Sequence, residues 1–213
     1  MVAPTTAYSN DLYVYQIGDD FTLDADQRSV DNYGWLYSNG DDNNITISQG
    51  MHEGGTIDSD ETGGHDALWY ILGDGNTASS YQTDTNRSGG GGDSHYLSGE
   101  LKGDDNTVEI TQMGKAGHDA YLAVDGKNNN IDLYQRGNGG KKWADVELSG
   151  DDHSVSVNQR GSHYASSDIS LTNNGGAYDL TVTQNVTSST HTYSITGTCA
   201  TIGGCTVTVN GSN

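Results

Sequence analysis

Residues 103–112 read Gly-Asp-Asp-Asn-Thr-Val-Glu-Ile-Thr-Gln, and that order returns along the chain. Related turns open at Gly18, Gly40, Gly73, Gly103, Gly126 and Gly150, with a weaker match at Gly175. Nine residues after each stand Gln27, Gln49, Gln82, Gln112, Gln135, Gln159 and Gln184. The steps between successive Gly are 22, 33, 30, 23, 24 and 25 residues, so the base unit is 22–25 residues with two insertions. Self-similarity at such a period is the mark of a repeat architecture.

The flanks keep the same register. Five after the Gly stand Leu23, Ile45, Ala78, Val108, Ile131, Val155 and Leu180; seven after stand Ala25, Ile47, Ser80, Ile110, Leu133, Val157 and Val182. Four before it stand Val14, Leu36, Trp69, Gly99, Leu122, Val146 and Leu171. Apolar residues at alternate positions on both sides of a turn mean two strands, each with one buried face. One such unit cannot bury its inner face alone; stacking units does so, with each strand beside its counterpart at about 4.8 Å. The expected fold is all-β: a cross-β-like solenoid of about 7–8 strand-turn-strand rungs with two facing parallel sheets. Only two alternating apolar strands occur per unit, which disfavours a three-sided helix.

The division expected is an N-terminal joining or capping segment over 1–10, solenoid repeats over 11–190, and a divergent terminal repeat over 191–213. In that last repeat Tyr193 and Ile195 precede Gly197, Val207 and Val209 follow, and no Gln stands at the usual place. Cys199 and Cys205 flank a Gly-Gly turn there, where a local disulfide is expected, with free thiols or an inter-chain bond as the other readings.

Composition bounds function. Of the 213 residues only 32% are hydrophobic, 30 are Gly and one is Pro, so the core is thin. The net charge of −20 disfavours nucleic acid and anionic membranes and attracts cations. No run approaches the roughly 20 apolar residues of a membrane helix, so membrane insertion is not expected. Met1-Val2-Ala3-Pro4 carries no apolar signal core, which implies a removed signal or another export route.

Several residue sets could carry function. The Gln of each unit, and Asn43, Asn76, Asn106 and Asn129 three after their Gly, are expected to stack as side-chain ladders, since buried amides are costly unless paired. The acidic turns Asp19, Asp20, Asp41, Asp42, Asp104 and Asp105 offer carboxylates that could hold calcium, against the plainer reading of a solvated acidic edge. No other cofactor is expected. His65, His95 and His118 each lie eight before their Gly: a short histidine column, or simply polar residues where strands begin. Tyr13, Tyr15, Tyr37, Tyr70, Tyr121 and Tyr134 fall on the outward register and could stack on sugars or on neighbouring filaments, or serve as cross-strand pairs. The sequence holds no GxSxG, HExxH, Walker or Rossmann pattern, and its carboxylates recur with the repeat, so no enzyme is expected.

The segments Leu12–Gln27, Asn106–Gln112 and Asn130–Gln135 resemble the curlin repeat, Ser-x5-Gln-x-Gly-x-Gly-Asn-x-Ala-x3-Gln. The motif's Ser survives at Ser167, its first Gln at Gln16 and its second Gly at Gly75. Curlins are subunits of secreted bacterial functional-amyloid fibres. The resemblance implies a secreted, extracellular or cell-surface structural subunit that stacks head-to-tail with copies of itself into a biofilm-matrix filament, with extracellular polysaccharide or a host surface as further partners. The other reading is a monomeric solenoid adhesin or glycan-binding module, using the loops at 50–64 and 83–94.

Overall fold

The computed structural model describes residues 10–28, 31–50, 64–83, 94–103, 106–126, 129–147, 149–150, 153–172, 178–198 and 205–212. These form eight rungs. The first holds β1 (Asp11–Ile17) and β2 (Thr22–Gln27), the second β3 (Tyr33–Asn39) and β4 (Asn44–Gln49). The third holds β5 (Asp66–Leu72) and β6 (Thr77–Thr83), the fourth β7 (Tyr96–Leu101) and β8 (Thr107–Met113). In the fifth, β9 (Asp119–Ala123) faces a strand broken into β10 (Asn130–Asp132) and β11 (Gln135–Arg136). In the sixth, β12 (Lys142–Glu147) faces β13 (His153–Ser156) and β14 (Gln159–Gly161). β15 (Ala165–Thr172) and β16 (Tyr178–Val186) make the seventh, β17 (His191–Thr198) and β18 (Cys205–Ser212) the eighth.

The first strand of every rung joins one sheet, in the order β1-β3-β5-β7-β9-β12-β15-β17. The second strands form the other sheet, in which β18 pairs with β16. Neighbours pair in parallel, as a solenoid requires. The chain is therefore an all-β solenoid of two facing parallel sheets. Its core is a strip of inward side chains, among them Leu36, Ile45, Ile47, Ile71, Leu97, Ile110, Leu122 and Val182, all buried.

Two places show how sequence meets this geometry. At the turn, Gly73 has φ +100°, and a Cβ there would collide with the carbonyl of Gly103 one rung on. Successive turns approach too closely for any side chain, which is why Gly opens each unit. In the core, Trp69 pairs in register with Gly99 and points at Ser80, whose Oγ accepts its indole N–H at 3.4 Å. A Cβ on Gly99 would overlap the Trp69 ring. One large residue thus takes the space of two small ones.

The repeat offset fails in one strand. Counting back from Gly175 puts Leu171 in the Leu36–Trp69–Val146 column. The structure instead pairs Asp145 with Asp168 and Ala144 with Ser167, a shift of two residues, so buried Ile169 follows Val146 in the core. The backbone pairing of β12 with β15 overrides the turn-based count.

Candidate functional site

The seven Gln sit in one column, paired in register from Gln27 to Gln184. All but Gln27 are fully buried. Each Nε2 donates to the Oε1 one rung on: Gln27 to Gln49 at 2.8 Å, Gln49 to Gln82 at 3.0 Å, Gln82 to Gln112 at 2.9 Å and Gln112 to Gln135 at 3.1 Å. Each of these donors also reaches a carbonyl at the start of the facing strand, such as Tyr33 O from Gln49 at 3.1 Å and Asp66 O from Gln82 at 3.0 Å. The ladder then breaks. Gln135 Nε2 finds no partner among the described residues. Beyond it, Gln159 and Gln184 both donate to the buried hydroxyl of Ser167, at 2.8 and 2.7 Å. The two-residue shift of β15 brings Ser167 to that point. Opposite Gln184 the eighth rung has Gly211.

The Asn ladder runs with the opposite polarity. Asn76 Nδ2 donates back to Asn43 Oδ1 at 3.1 Å, Asn106 to Asn76 at 3.2 Å, and Asn129 to Asn106 at 3.0 Å. All four are buried, so neither ladder is an exposed binding surface.

His65, His95 and His118 are fully buried and stacked, with ring centroids 4.9 and 5.0 Å apart. They belong to a longer column that begins with Asn10 and Asn32 and ends at Lys142. At each step the backbone N–H of one rung donates to a side-chain acceptor of the rung before: Asn32 N to Asn10 Oδ1 at 3.0 Å, His65 N to Asn32 Oδ1 at 3.1 Å, His95 N to His65 Nδ1 at 3.1 Å, His118 N to His95 Nδ1 at 3.0 Å and Lys142 N to His118 Nδ1 at 3.2 Å. Since Nδ1 accepts, the proton sits on Nε2, which in His95 and His118 faces Thr83 O and Met113 O at 3.0 Å. Burial first, then His95, holds the His65 imidazole well below its ordinary pKa. The same two causes, in that order, push His118 down to about 2, with Lys142 and Lys141 adding to the effect. Lys142 closes the column: its buried ammonium donates to Gly140 O at 2.6 Å and His163 O at 2.5 Å, and burial lowers its pKa to about 8.

The acidic turns bond to backbone. Asp41 Oδ1 accepts Asp19 N at 2.7 Å, and Asp74 Oδ1 accepts Asp41 N at 2.8 Å. Asp20 and Asp42 adopt positive φ at the tip of the turn. Among the described residues no three His, Cys, Asp or Glu side chains group to hold a metal ion, the histidine column included; Asp104 and Asp105 lie outside those residues. So does Cys199, while Cys205 begins β18. On the outer face Tyr15, Tyr37 and Tyr70 stack at 5.4 and 4.8 Å, and Tyr13 tilts against Tyr33 at 6.1 Å. Tyr134 instead lies under the Arg160 guanidinium at 5.5 Å, and Tyr121 is half-buried.

The family model of the curlin associated repeat matches residues 103–137 and 126–161. Residues 103–161 thus match two overlapping copies of that repeat. The matched spans run from β8 to β14, and they include Asn106, Gln112, Asn129, Gln135 and Gln159 of the two ladders. No curated protein and no solved structure matches the chain. Among the described residues β1 and β2 lie at the edges of their sheets. At the first rung the register that is core elsewhere is exposed: Leu12 at 38% and Val14 at 43%. Offsets from the turn do not reveal this, because it shows only as a change of burial between the first rung and the second.

Proposed function

We propose that this protein is a structural subunit, not an enzyme, and that it stacks head-to-tail into an extracellular filament of a surface or biofilm matrix. The observation that carries the reading is the first rung, where Leu12 and Val14 stand exposed in the same register as buried Leu36, Ala67 and Trp69. An exposed apolar rung with open strand edges is a template for another rung. The curlin repeat supports the same reading. Subunits joined this way would continue both sheets along one axis, giving the cross-β repeat of about 4.8 Å.

Negative-stain electron microscopy and fibre diffraction of purified protein at rising concentration test the proposal. Filaments whose number grows with concentration, with the strand spacing along the axis, are the expected result. Particles that stay monomeric at every concentration overturn it.

A further inference from the structure

The loose corner that joins one rung to the next differs in charge from the rest of the chain. After the fourth, fifth and sixth rungs it spans residues 113–118, 136–142 and 160–165. These three segments hold five of the nine Lys and Arg (Lys115, Arg136, Lys141, Lys142 and Arg160) and no Asp or Glu, in a chain of net charge −20. Two of the five are engaged. Lys141 pairs with Asp119 at 2.5 Å, and the Lys142 ammonium is held by Gly140 O and His163 O.

Arg136 and Arg160 are paired neighbours on β11 and β14, both exposed. Their backbones stand about 4.8 Å apart, so the two guanidinium charges repel. The Arg160 guanidinium is fixed from below and beside. Its Nε donates to Asn158 Oδ1 at 2.8 Å, and it lies 5.5 Å from the centre of the Tyr134 ring. Both contacts are neutral. Arg28 and Lys102 instead each meet a carboxylate at 2.7 Å, Asp26 and Glu100.

One residue further along, Gly137 stacks on Gly161, so closely that a Cβ on Gly137 would strike the Gly161 carbonyl. The two glycines put no side chain between the arginines and the next column, Asn138 and Ser162. A cleft of about 260 Å³ opens there, lined by Arg136, Gly137, Asn138, Arg160, Gly161 and Ser162. Sites for drug-sized molecules begin at about 300 Å³, so this one suits a single small group. The Asn138 Oδ1 is engaged by the Lys115 N–H at 3.3 Å. A guanidinium offers donors and no acceptor. The cleft therefore calls for a ligand that accepts hydrogen bonds and carries negative charge.

We infer that this cleft is an oxyanion site that takes a phosphate dianion, free or as a monoester, with Arg136 and Arg160 donating to it from adjacent rungs. A dianion neutralises both guanidinium charges, where a carboxylate neutralises one. The planar fork of each arginine matches two phosphate oxygens. The cleft opens on the side of the stack, so the inference does not depend on the head-to-tail reading.

Isothermal titration calorimetry of the full chain at pH 8 tests it, with inorganic phosphate, glucose 6-phosphate and acetate as ligands. Both phosphates are dianions at that pH. One-to-one binding of a phosphate is expected, with acetate about tenfold weaker. Tighter binding of inorganic phosphate would identify a free ion as the ligand, and tighter binding of glucose 6-phosphate an esterified group; either supports the site. Arg136→Gln and Arg160→Gln should each weaken binding about tenfold. Arg28→Gln, which removes an arginine already paired with Asp26, should leave it unchanged. Circular dichroism checks that the variants keep the wild-type fold, as expected for exposed positions. The site is overturned if neither phosphate binds the wild-type chain, if acetate binds as tightly as phosphate, or if Arg136→Gln and Arg160→Gln both bind like wild type.

Discussion

His118 Nδ1 accepts the backbone N–H of Lys142 across 3.2 Å, so the imidazole that holds two rungs together must stay neutral. Protonation would turn the acceptor into a donor and place a charge about 5.0 Å from the ring of His95. The consequence is a pH dependence of definite sign. Above pH about 6.5 these imidazoles are neutral folded and unfolded, and the column contributes fully. As pH falls below that, the unfolded chain takes up protons that the folded column refuses, so stability is lost, by about 1.4 kcal/mol per group per pH unit. For His65 and His118 together the loss between pH 6.5 and 5 is about 3–4 kcal/mol. A His65→Asn/His118→Asn variant keeps the acceptors without the titration. Denaturant midpoints of both proteins at pH 7.5 and 5 should show the variant losing less by that margin; an equal loss in the two proteins would refute the column's role.

The Gln ladder makes an asymmetric prediction. Gln82 accepts from Gln49 and donates to Gln112. Gln82→Leu leaves Gln112 Oε1 buried without its donor, at a cost of about 1–3 kcal/mol. Gln135 already holds an Nε2 with no partner among the described residues. Gln135→Leu deletes that orphan, while Gln112 Nε2 keeps Tyr96 O and His118 O. Unfolding free energies should place Gln135→Leu at least about 1 kcal/mol above Gln82→Leu in stability. Equal costs would mean that rung position does not matter to the ladder.

Both ladders were legible in the sequence because one residue type recurs at one offset from a turn that the backbone fixes. The histidine column was legible only in part. Asn10, Asn32 and Lys142 share its register, but the column selects for a side-chain acceptor rather than for a residue type, and Lys142 ends it by offering none. The shift that brings Ser167 to Gln159 and Gln184 was hidden for a different reason. Offsets counted from Gly175 assume that the turn sets the strand, whereas there the pairing of Asp145 with Asp168 sets it. The Trp69–Gly99–Ser80 arrangement spans three strands and leaves no periodic trace.

That arrangement predicts strong coupling. Gly99→Ala pushes a methyl into the Trp69 ring, and overpacking of this kind costs about 1–3 kcal/mol. Trp69→Leu opens a cavity at a fully buried site, for a loss of about 2–5 kcal/mol. Combined, the added methyl occupies space the indole has left. A double-mutant cycle by chemical denaturation should give a combined loss at least about 1 kcal/mol smaller than the sum. Additive losses would show that the two residues do not share that space.

Two ladder amides converge on the Ser167 hydroxyl, Gln159 from the sixth rung and Gln184 from the seventh. One oxygen with two lone pairs satisfies two buried N–H donors at once. Ser167→Ala removes both acceptors, leaving Gln159 Nε2 only Trp143 O and Gln184 Nε2 only Ser166 O. The expected cost is about 1–3 kcal/mol, large for the loss of a single oxygen. Because both amides belong to the last two Gln-bearing rungs, the loss should be local. Amide hydrogen exchange of Ser167→Ala should show lowered protection in β14, β15 and β16, with β4 and β6 unchanged. Uniform loss of protection over all rungs would mean that the stack opens as one unit, and the C-terminal rungs would then have no stability of their own to tune.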